Sequence, residues 1–385
     1  MLDRVRKALG FRFWYGIGIG SWLSTLIRNG RTISPWQLPR LILFTALAAF
    51  NSGVGLLLRL IFAKRIRAVR LHPSPVFVLG HWRSGTTYLH ELLSCDSRFI
   101  WPKGYQCGSP HIFLLLDGVL RHLLDFAVTA HRPMDEMTFS LQRPQEDEYA
   151  LLGLMGRSTL RFCIFPAAGP TDPDYLSLHT LPPAERQRWV DTWVYFLKSV
   201  AVRYGDDKRF LLKSPQHTAR VRTILSVFPE AKFIHIARNP IDVFASTVGT
   251  WNALADSQGL QEPGGARSWA KESVLATFNE MYACYEEDRA AIPDGHLIEI
   301  QYEALVADPV GVMRDIYRQL DLGEIEAFLP ALEARLRESS SYKANVHRLD
   351  EADAAAVAAS WSGYARRYGY DHAAASSRNA TGGQA

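Results

Sequence analysis

The run Gly80-His81-Trp82-Arg83-Ser84-Gly85-Thr86-Thr87 gathers a turn glycine, a cation and three hydroxyls into one short stretch. It follows the charge-free β-rich run Val76–Gly80 and precedes YLHELLS, which has helical period. A loop between a buried strand and a helix start is an anion cradle. Free backbone N–H groups point outward there, and the helix dipole favours negative charge. Gly85 lets the backbone approach an oxygen closely, Ser84, Thr86 and Thr87 add hydroxyl donors, and Arg83 adds a forked charge. The spacing G-x-x-x-x-G has the shape of a Walker loop, but Thr86 stands where that motif needs Lys, which argues against a β/γ-phosphate chain.

A second grip is predicted farther along. Arg238 ends the strand-like AKFIHIAR, Asn239-Pro240 reads as a helix cap followed by Pro at the first helical position, and Ser246 falls about two turns later. Arg238 and Ser246 together would hold a second phosphate, although Asp242 offers the arginine an ordinary ion pair. Two anion grips suit a ligand charged at both ends of a nucleoside. Between them, Lys213 in LLKSP sits at the end of a strand, where ligands of α/β proteins bind. For a general base the candidates are Glu146 and Glu148 in PQEDEYALL, His217 in KSPQHT and His111 in GSPHIFLL. Each has a plainer alternative. Acids after Pro144 complement a helix dipole, His111 beside Pro110 reads as packed, and His217 as structural or surface-bound.

These residues need a scaffold, and the chain supplies alternating strands and helices from about residue 72. Strands are expected at 76–80, 209–214, 231–238 and 296–305, and helices at 184–204, 217–228, 240–255 and 268–290. That alternation implies a parallel sheet with helices on both faces. Residues 97–185 are rich in Pro, Gly and aromatics and read as an insertion on the acceptor side. His235, alternating with Phe233 and Ala237, reads as core. The tail 373–385 is poor in hydrophobes and predicted to be disordered.

Over residues 72–370 the sequence resembles the sulfotransferases that use 3′-phosphoadenosine-5′-phosphosulfate. The pieces that carry the likeness, in order, are PVFVLGHWRSGTTYLHELL, RPQEDEYALL, RFLLKSPQHT, AKFIHIARNPIDVFAS and SYKANVH…WSGYARRYGY. The loop reads R-S-G-T-T, as in a broad branch of the family, where cytosolic small-molecule members read K-S-G-T-T. The resemblance implies a P-loop-NTPase-like three-layer α/β fold with a central parallel sheet, occupying residues 71–372. It implies that Arg83, Ser84, Gly85, Thr86 and Thr87 cradle the 5′-phosphosulfate and that Arg238 and Ser246 hold the 3′-phosphate. Tyr88 falls where cytosolic members carry an adenine-stacking Trp, and Lys343 matches a late cofactor-contacting lysine. Arg83 and Lys213 would stabilise the leaving phosphate, with no metal required. The family's usual catalytic Glu position is occupied here by Trp101-Pro102-Lys103, so Glu146 is the favoured base, then Glu148 and His217. The terminal G-x-x-G-x-x-K motif of the cytosolic enzymes is absent. A P-loop kinase or a catalytically inactive donor-binding protein are the competing readings.

The N-terminal 70 residues differ in character. They hold twelve Lys/Arg against one acid, Asp3, a net of +11 that leaves −7 for the rest of a chain totalling +4. A pI near 8.8 therefore does not imply nucleic-acid binding. Residues 41–58 form an uncharged run of 18, flanked by cations on both sides and interrupted by Asn51-Ser52-Gly53 and Gly55. Three readings stand: burial against the catalytic domain, a helical hairpin lying on an anionic leaflet, and a spanning helix. The acceptor expected is then a hydroxyl- or amine-bearing small molecule, glycan or lipid, with a hydrophobic or lipid-linked one suggested by this segment. The location is the cytoplasm, at the inner face of a membrane, or a Golgi lumen in a eukaryote. Four well-separated cysteines argue for a reducing compartment and against a disulfide framework.

Overall fold

The computed structural model describes residues 12–29, 32–116, 130–131, 138–139, 142–205, 208–339 and 349–371. Lys343 and the tail lie outside these residues. The strands are β1 (Val76–Leu79), β2 (Phe99–Ile100), β3 (Ala130–His131), β4 (Thr138–Phe139), β5 (Arg209–Lys213), β6 (Lys232–Ala237) and β7 (Leu297–Gln301). Five of them form one parallel sheet in the order β2-β5-β1-β6-β7, while β3 and β4 make a separate antiparallel pair. The principal helices are α1 (Ile19–Asn29), α2 (Leu38–Ala68), α3 (Thr86–Leu93), α4 (Asp147–Met155), α5 (Pro183–Ala201), α6 (Pro240–Gln258) and α7 (Ala270–Asp288).

Because side chains alternate along a strand, the sheet splits the interior into two cores. Phe77, Leu79, Phe210, Leu212 and Phe233 face one, against α5 and α7. Val76, Val78, Leu211, Ile234 and Ile236 face the other, with Leu89, Met313 and Ile316. The result is a three-layer α/β fold. β1 lies at its centre; the chain passes to the edge strand β2, returns to β5 beside β1, and then adds β6 and β7 on the other side, a reversal that opens a crevice at the carboxyl ends of the strands.

Three expectations need correction. The segment HLIEIQYEAL is strand only to Gln301, and Tyr302–Ala307 is helical. Residues 217–228 are not one helix but a 3₁₀ turn, Pro215–Ala219, followed by Val221–Val227. The region 97–185 is not wholly an insertion, since Phe99–Ile100 pairs with β5 as an edge of the main sheet.

Asn51-Ser52-Gly53 does not break α2, and the reason is local. The Asn51 amide donates to the carbonyls of Tyr15 (2.7 Å) and Ile17 (3.3 Å), and Ser52 Oγ accepts from Ile19 N at 2.9 Å. Polar residues that would favour a turn are instead used to bind the preceding chain. Gly55 makes room for His111, whose Nδ1 would lie 3.0 Å from a Cβ at that position. The helix ends at Ala68, so Arg70 lies beyond it.

Candidate active site

The loop after β1 turns tightly. Gly80 N donates to Thr218 Oγ1 at 2.8 Å, and Ser84 N and Oγ both donate to the His81 carbonyl. Arg83 and Gly85 take left-handed backbone conformations, with φ of 67° and 101°. Gly85 is the N-cap of α3, and no side chain caps that helix. The first N–H groups of α3 therefore lack intrahelical partners and face an outside acceptor. Ser84 is fully buried and spends its hydroxyl on bracing the turn.

The second grip lies against the first. Arg83 Nε donates to Ser246 Oγ at 2.8 Å, and Arg238 Nη1 donates to the Arg83 carbonyl at 3.0 Å. β6 delivers Arg238 to the carboxyl end of the sheet. Asn239 caps α6 by accepting from Ile241 N, and Ser246 follows on that helix. The Arg238 guanidinium stacks over Tyr302 at 4.4 Å, and Tyr364 brackets its backbone, accepting from Arg238 N and donating to Arg238 O. Arg238 Nε is buried without a hydrogen-bond partner among the described residues, and Asp242 reaches only Nη2, in an ion pair at 3.9 Å. An orphaned guanidinium N–H beside an uncapped helix start is a fitting place for an anion.

On the other side of the loop, Lys213 Nζ donates to Glu146 Oε1 at 2.5 Å and to Thr87 Oγ1 at 3.3 Å. Lys213 is 3% exposed and Glu146 9%. Glu146 is the N-cap of α4, so the carboxylate, the lysine and the loop hydroxyl form one chain of contacts. Arg83, Thr87, Lys213, Glu146, Arg238 and Ser246 thus converge at one end of the sheet.

The other candidates stand apart. Glu148 is buried and engaged by Arg220 Nη1 at 2.6 Å and Ser158 Oγ at 2.5 Å, while Arg220 also donates to the carbonyls of Tyr175 and Leu176. His217 is fully buried, with Nε2 at 3.0 Å from both oxygens of Asp147. Asp147 further accepts from Ser214 Oγ (2.5 Å) and Trp193 Nε1 (2.7 Å). Burial drives its carboxyl up, but His217 and these donors outweigh it and hold Asp147 well below the usual carboxylate range. His111 packs against α4, within 3.3 Å of the Gly153 carbonyl, and burial lowers its pKa to about 4. Tyr88 is half-buried beside the second core. Asp147, Tyr302 and Tyr364 are additions from the structure. Asp147 lies between Glu146 and Glu148 in PQEDEYALL, but the tyrosines come from distant segments with no local pattern.

Comparison with known proteins bears on family and fold. The sulfotransferase family matches residues 75–326. Two mycobacterial proteins, the omega-hydroxy-beta-dihydromenaquinone-9 sulfotransferases Stf3 of Mycobacterium bovis and Mycobacterium tuberculosis, are each 37% identical over 360 residues, 93% of this chain and 91% of theirs. Among solved structures, sulfotransferase STF9 from Mycobacterium avium superposes with a TM-score of 0.64 at 18% identity, over 87% of this chain and 86% of that one. Sulfotransferase STF1 from M. tuberculosis gives 0.59 at 19%, over 86% and 87%. The family match covers more than half of the chain, and the chain belongs to the sulfotransferase family.

Proposed function

We propose that this enzyme moves a sulfuryl group from 3′-phosphoadenosine-5′-phosphosulfate to a hydroxyl on a hydrophobic, lipid-borne acceptor, within a catalytic domain of residues 71–372. The observation that carries the donor assignment is the contact between the two anion grips, Arg83 with Ser246 and Arg238 with the Arg83 carbonyl. A nucleotide charged at both ends carries one anionic group for each grip. The lipid-like acceptor is supported by the 37% identity to Stf3, a sulfotransferase named for a hydroxylated menaquinone. It is supported independently by the apolar N-terminal hairpin, and with it a site of action at the cytoplasmic face of a membrane.

The donor supplies an activated sulfuryl group whose leaving group is an adenosine bisphosphate. The residues present divide the remaining work. The α3 N–H groups, Thr86 and Thr87 bind the 5′ end, and Arg238 with Ser246 binds the 3′ end. Glu146 accepts the acceptor's hydroxyl proton while the oxygen forms its bond to sulfur and the sulfur–oxygen bond to the leaving phosphate breaks. Lys213 and Arg83 stabilise the charge that grows on that phosphate. Lys213 is shared between Glu146 and the loop, so an anion at the loop draws the lysine toward itself and frees the carboxylate as base. The kinase reading lacks the Walker lysine, and the intact Lys213–Glu146 pair argues against an inactive binding protein.

Thermal shift with adenosine 3′,5′-bisphosphate, ADP and GTP tests the donor site. At a hundred times its dissociation constant, the bisphosphate is expected to add about 2.7 kcal/mol of stability. Stabilisation by ADP but not by the bisphosphate overturns the assignment. Transfer of labelled sulfate into a fractionated lipid extract tests the acceptor class.

A further inference from the structure

The α1–α2 hairpin carries a surface that the active site does not use. Thirteen large apolar side chains are exposed among the described residues, and eleven of them lie between Leu23 and Ile61. Ile27 is 85% exposed, Leu60 73% and Ile42 72%. α2 is long and apolar enough to cross a membrane, and only 28% of its most apolar window is buried. Yet it is fixed to the domain along its length. Phe44, Ala48, Asn51, Gly55 and Leu58 are buried, and their spacing of three or four keeps them within about 80° of one another on the helix. Ile42, Phe50, Leu56, Leu57 and Leu60 lie on the opposite side and face outward. From Leu38 to Ile61 this outer strip is about 35 Å long. Trp14 and Trp22, both fully buried and stacked at 5.5 Å, anchor the hairpin's base, and Trp14 Nε1 donates to the Gln258 carbonyl.

At the foot of α2 lies an open groove of about 700 Å³, lined by Arg67, Arg70, Lys198, Val194, Phe228 and Glu230. Three cations face it against one carboxylate, and Arg67 and Arg70 are exposed. A contiguous apolar strip beside a cationic groove offers contacts to both acyl chains and phosphates, the two chemistries met at the surface of an anionic leaflet. A second copy of the chain fits poorly, because it would set two segments of net +11 and two cationic grooves against each other. Spanning would require peeling the Phe44–Leu58 stripe from the domain and leaving Asn51 without its partners.

We propose that the hairpin is a monotopic docking face, with α2 lying in the plane of an anionic leaflet and the Arg67–Arg70–Lys198 groove taking the phosphate of a phospholipid headgroup. The leaflet part rests on the membrane placement proposed above, and the headgroup groove goes beyond it. The hairpin is also joined to the base. Gly18 N and Ser21 Oγ donate to the carbonyls of Gly153 and Met155 at the end of α4, whose first turn follows Glu146. Seven residues of helix put about 10 Å between that turn and the docking hairpin, a short reach for an acceptor rooted in the leaflet.

Flotation of the full chain with phosphatidylcholine vesicles, with and without phosphatidylglycerol, tests this. Wild type is expected to bind both and to prefer the anionic vesicles. Leu57→Glu/Leu60→Glu should lose both kinds of vesicle while keeping the bisphosphate thermal shift, which shows that it is folded. Arg67→Ala/Arg70→Ala should keep neutral binding and lose about 30-fold in affinity for anionic vesicles. Failure of wild type to bind any vesicle overturns the docking face, while sulfate transfer to lipid dispersed in detergent still reports on the acceptor separately. An unchanged anionic preference in the double arginine variant overturns the headgroup groove alone.

Discussion

Lys213 and Glu146 are 67 residues apart in the chain and 2.5 Å apart in space, and this pair separates binding from chemistry. Glu146→Gln keeps the shape of the α4 cap and removes a proton acceptor. It should retain the bisphosphate thermal shift and lose about 10²–10⁴ in turnover, measured by labelled-sulfate transfer. Arg238→Ala should do the reverse at first order, weakening bisphosphate by roughly tenfold to a hundredfold because a charge-assisted hydrogen bond is lost. Glu148→Gln is the informative neighbour. It leaves the Arg220 charge buried without its counter-ion, so it should cost about 3–5 kcal/mol of stability in chemical denaturation. If Glu148→Gln instead abolishes turnover at full stability, the base is Glu148 and not Glu146. The loop and the Arg238–Ser246 couple were legible because each is a local pattern of a few residues between a strand and a helix. The inward turn of the Ser84 hydroxyl and the engagement of Glu148 by Arg220 were not, since both depend on partners that no short window contains.

The element that matters most is the start of α3, where one position tolerates no side chain. Gly85 has φ of 101°, and a Cβ there would lie 2.3 Å from Tyr302 Cδ2. Tyr302 is itself under Arg238, so the tyrosine is the shared wall of both anion grips. Gly85→Ala should therefore unfold more easily, by at least about 1–2 kcal/mol from backbone strain alone, and lose bisphosphate binding through displaced Tyr302. Gly85→Ala/Tyr302→Ala removes the collision but not the strain, so equilibrium denaturation should recover only part of the loss. Full recovery would mean that the left-handed backbone is not what the glycine is there for. Alternation of strand and helix was readable at this scale, and the parallel sheet follows from it. The two-residue strand β2 was not, because a pair of residues carries no period, and neither was the continuity of α2 through Asn51-Ser52-Gly53. There the polar side chains find partners on a chain segment more than thirty residues upstream. The same residues in isolation favour a turn.

For the molecule as a whole, buried histidines set the response to acid. His81, His90 and His235 are held neutral, each at about 3, and His111 at about 4. Burial is the leading cause in every case, with the Lys213 charge adding to it at His90 and Arg367 at His235. In the unfolded chain these groups protonate near 6.5. Between that value and 3 to 4 the unfolded state binds protons that the folded state refuses, so stability is full above pH 6.5 and declines as the pH falls. Each histidine contributes up to about 1.4 kcal/mol per pH unit across that window. Asp147 acts in the same direction but later. Its folded pKa is depressed, so its contribution persists above the ordinary carboxylate value and is lost only in stronger acid. The histidines therefore dominate the upper part of the acid limb. Denaturant midpoints measured between pH 7 and 4.5 should fall steadily, and His235→Phe, which keeps a ring between Tyr285 and Tyr368, should make the slope shallower by about one histidine's share even though it forfeits the bond to Tyr282. A wild-type midpoint that stays flat down to pH 4.5 would show that water reaches these rings, and a slope unchanged by His235→Phe would take that histidine out of the account.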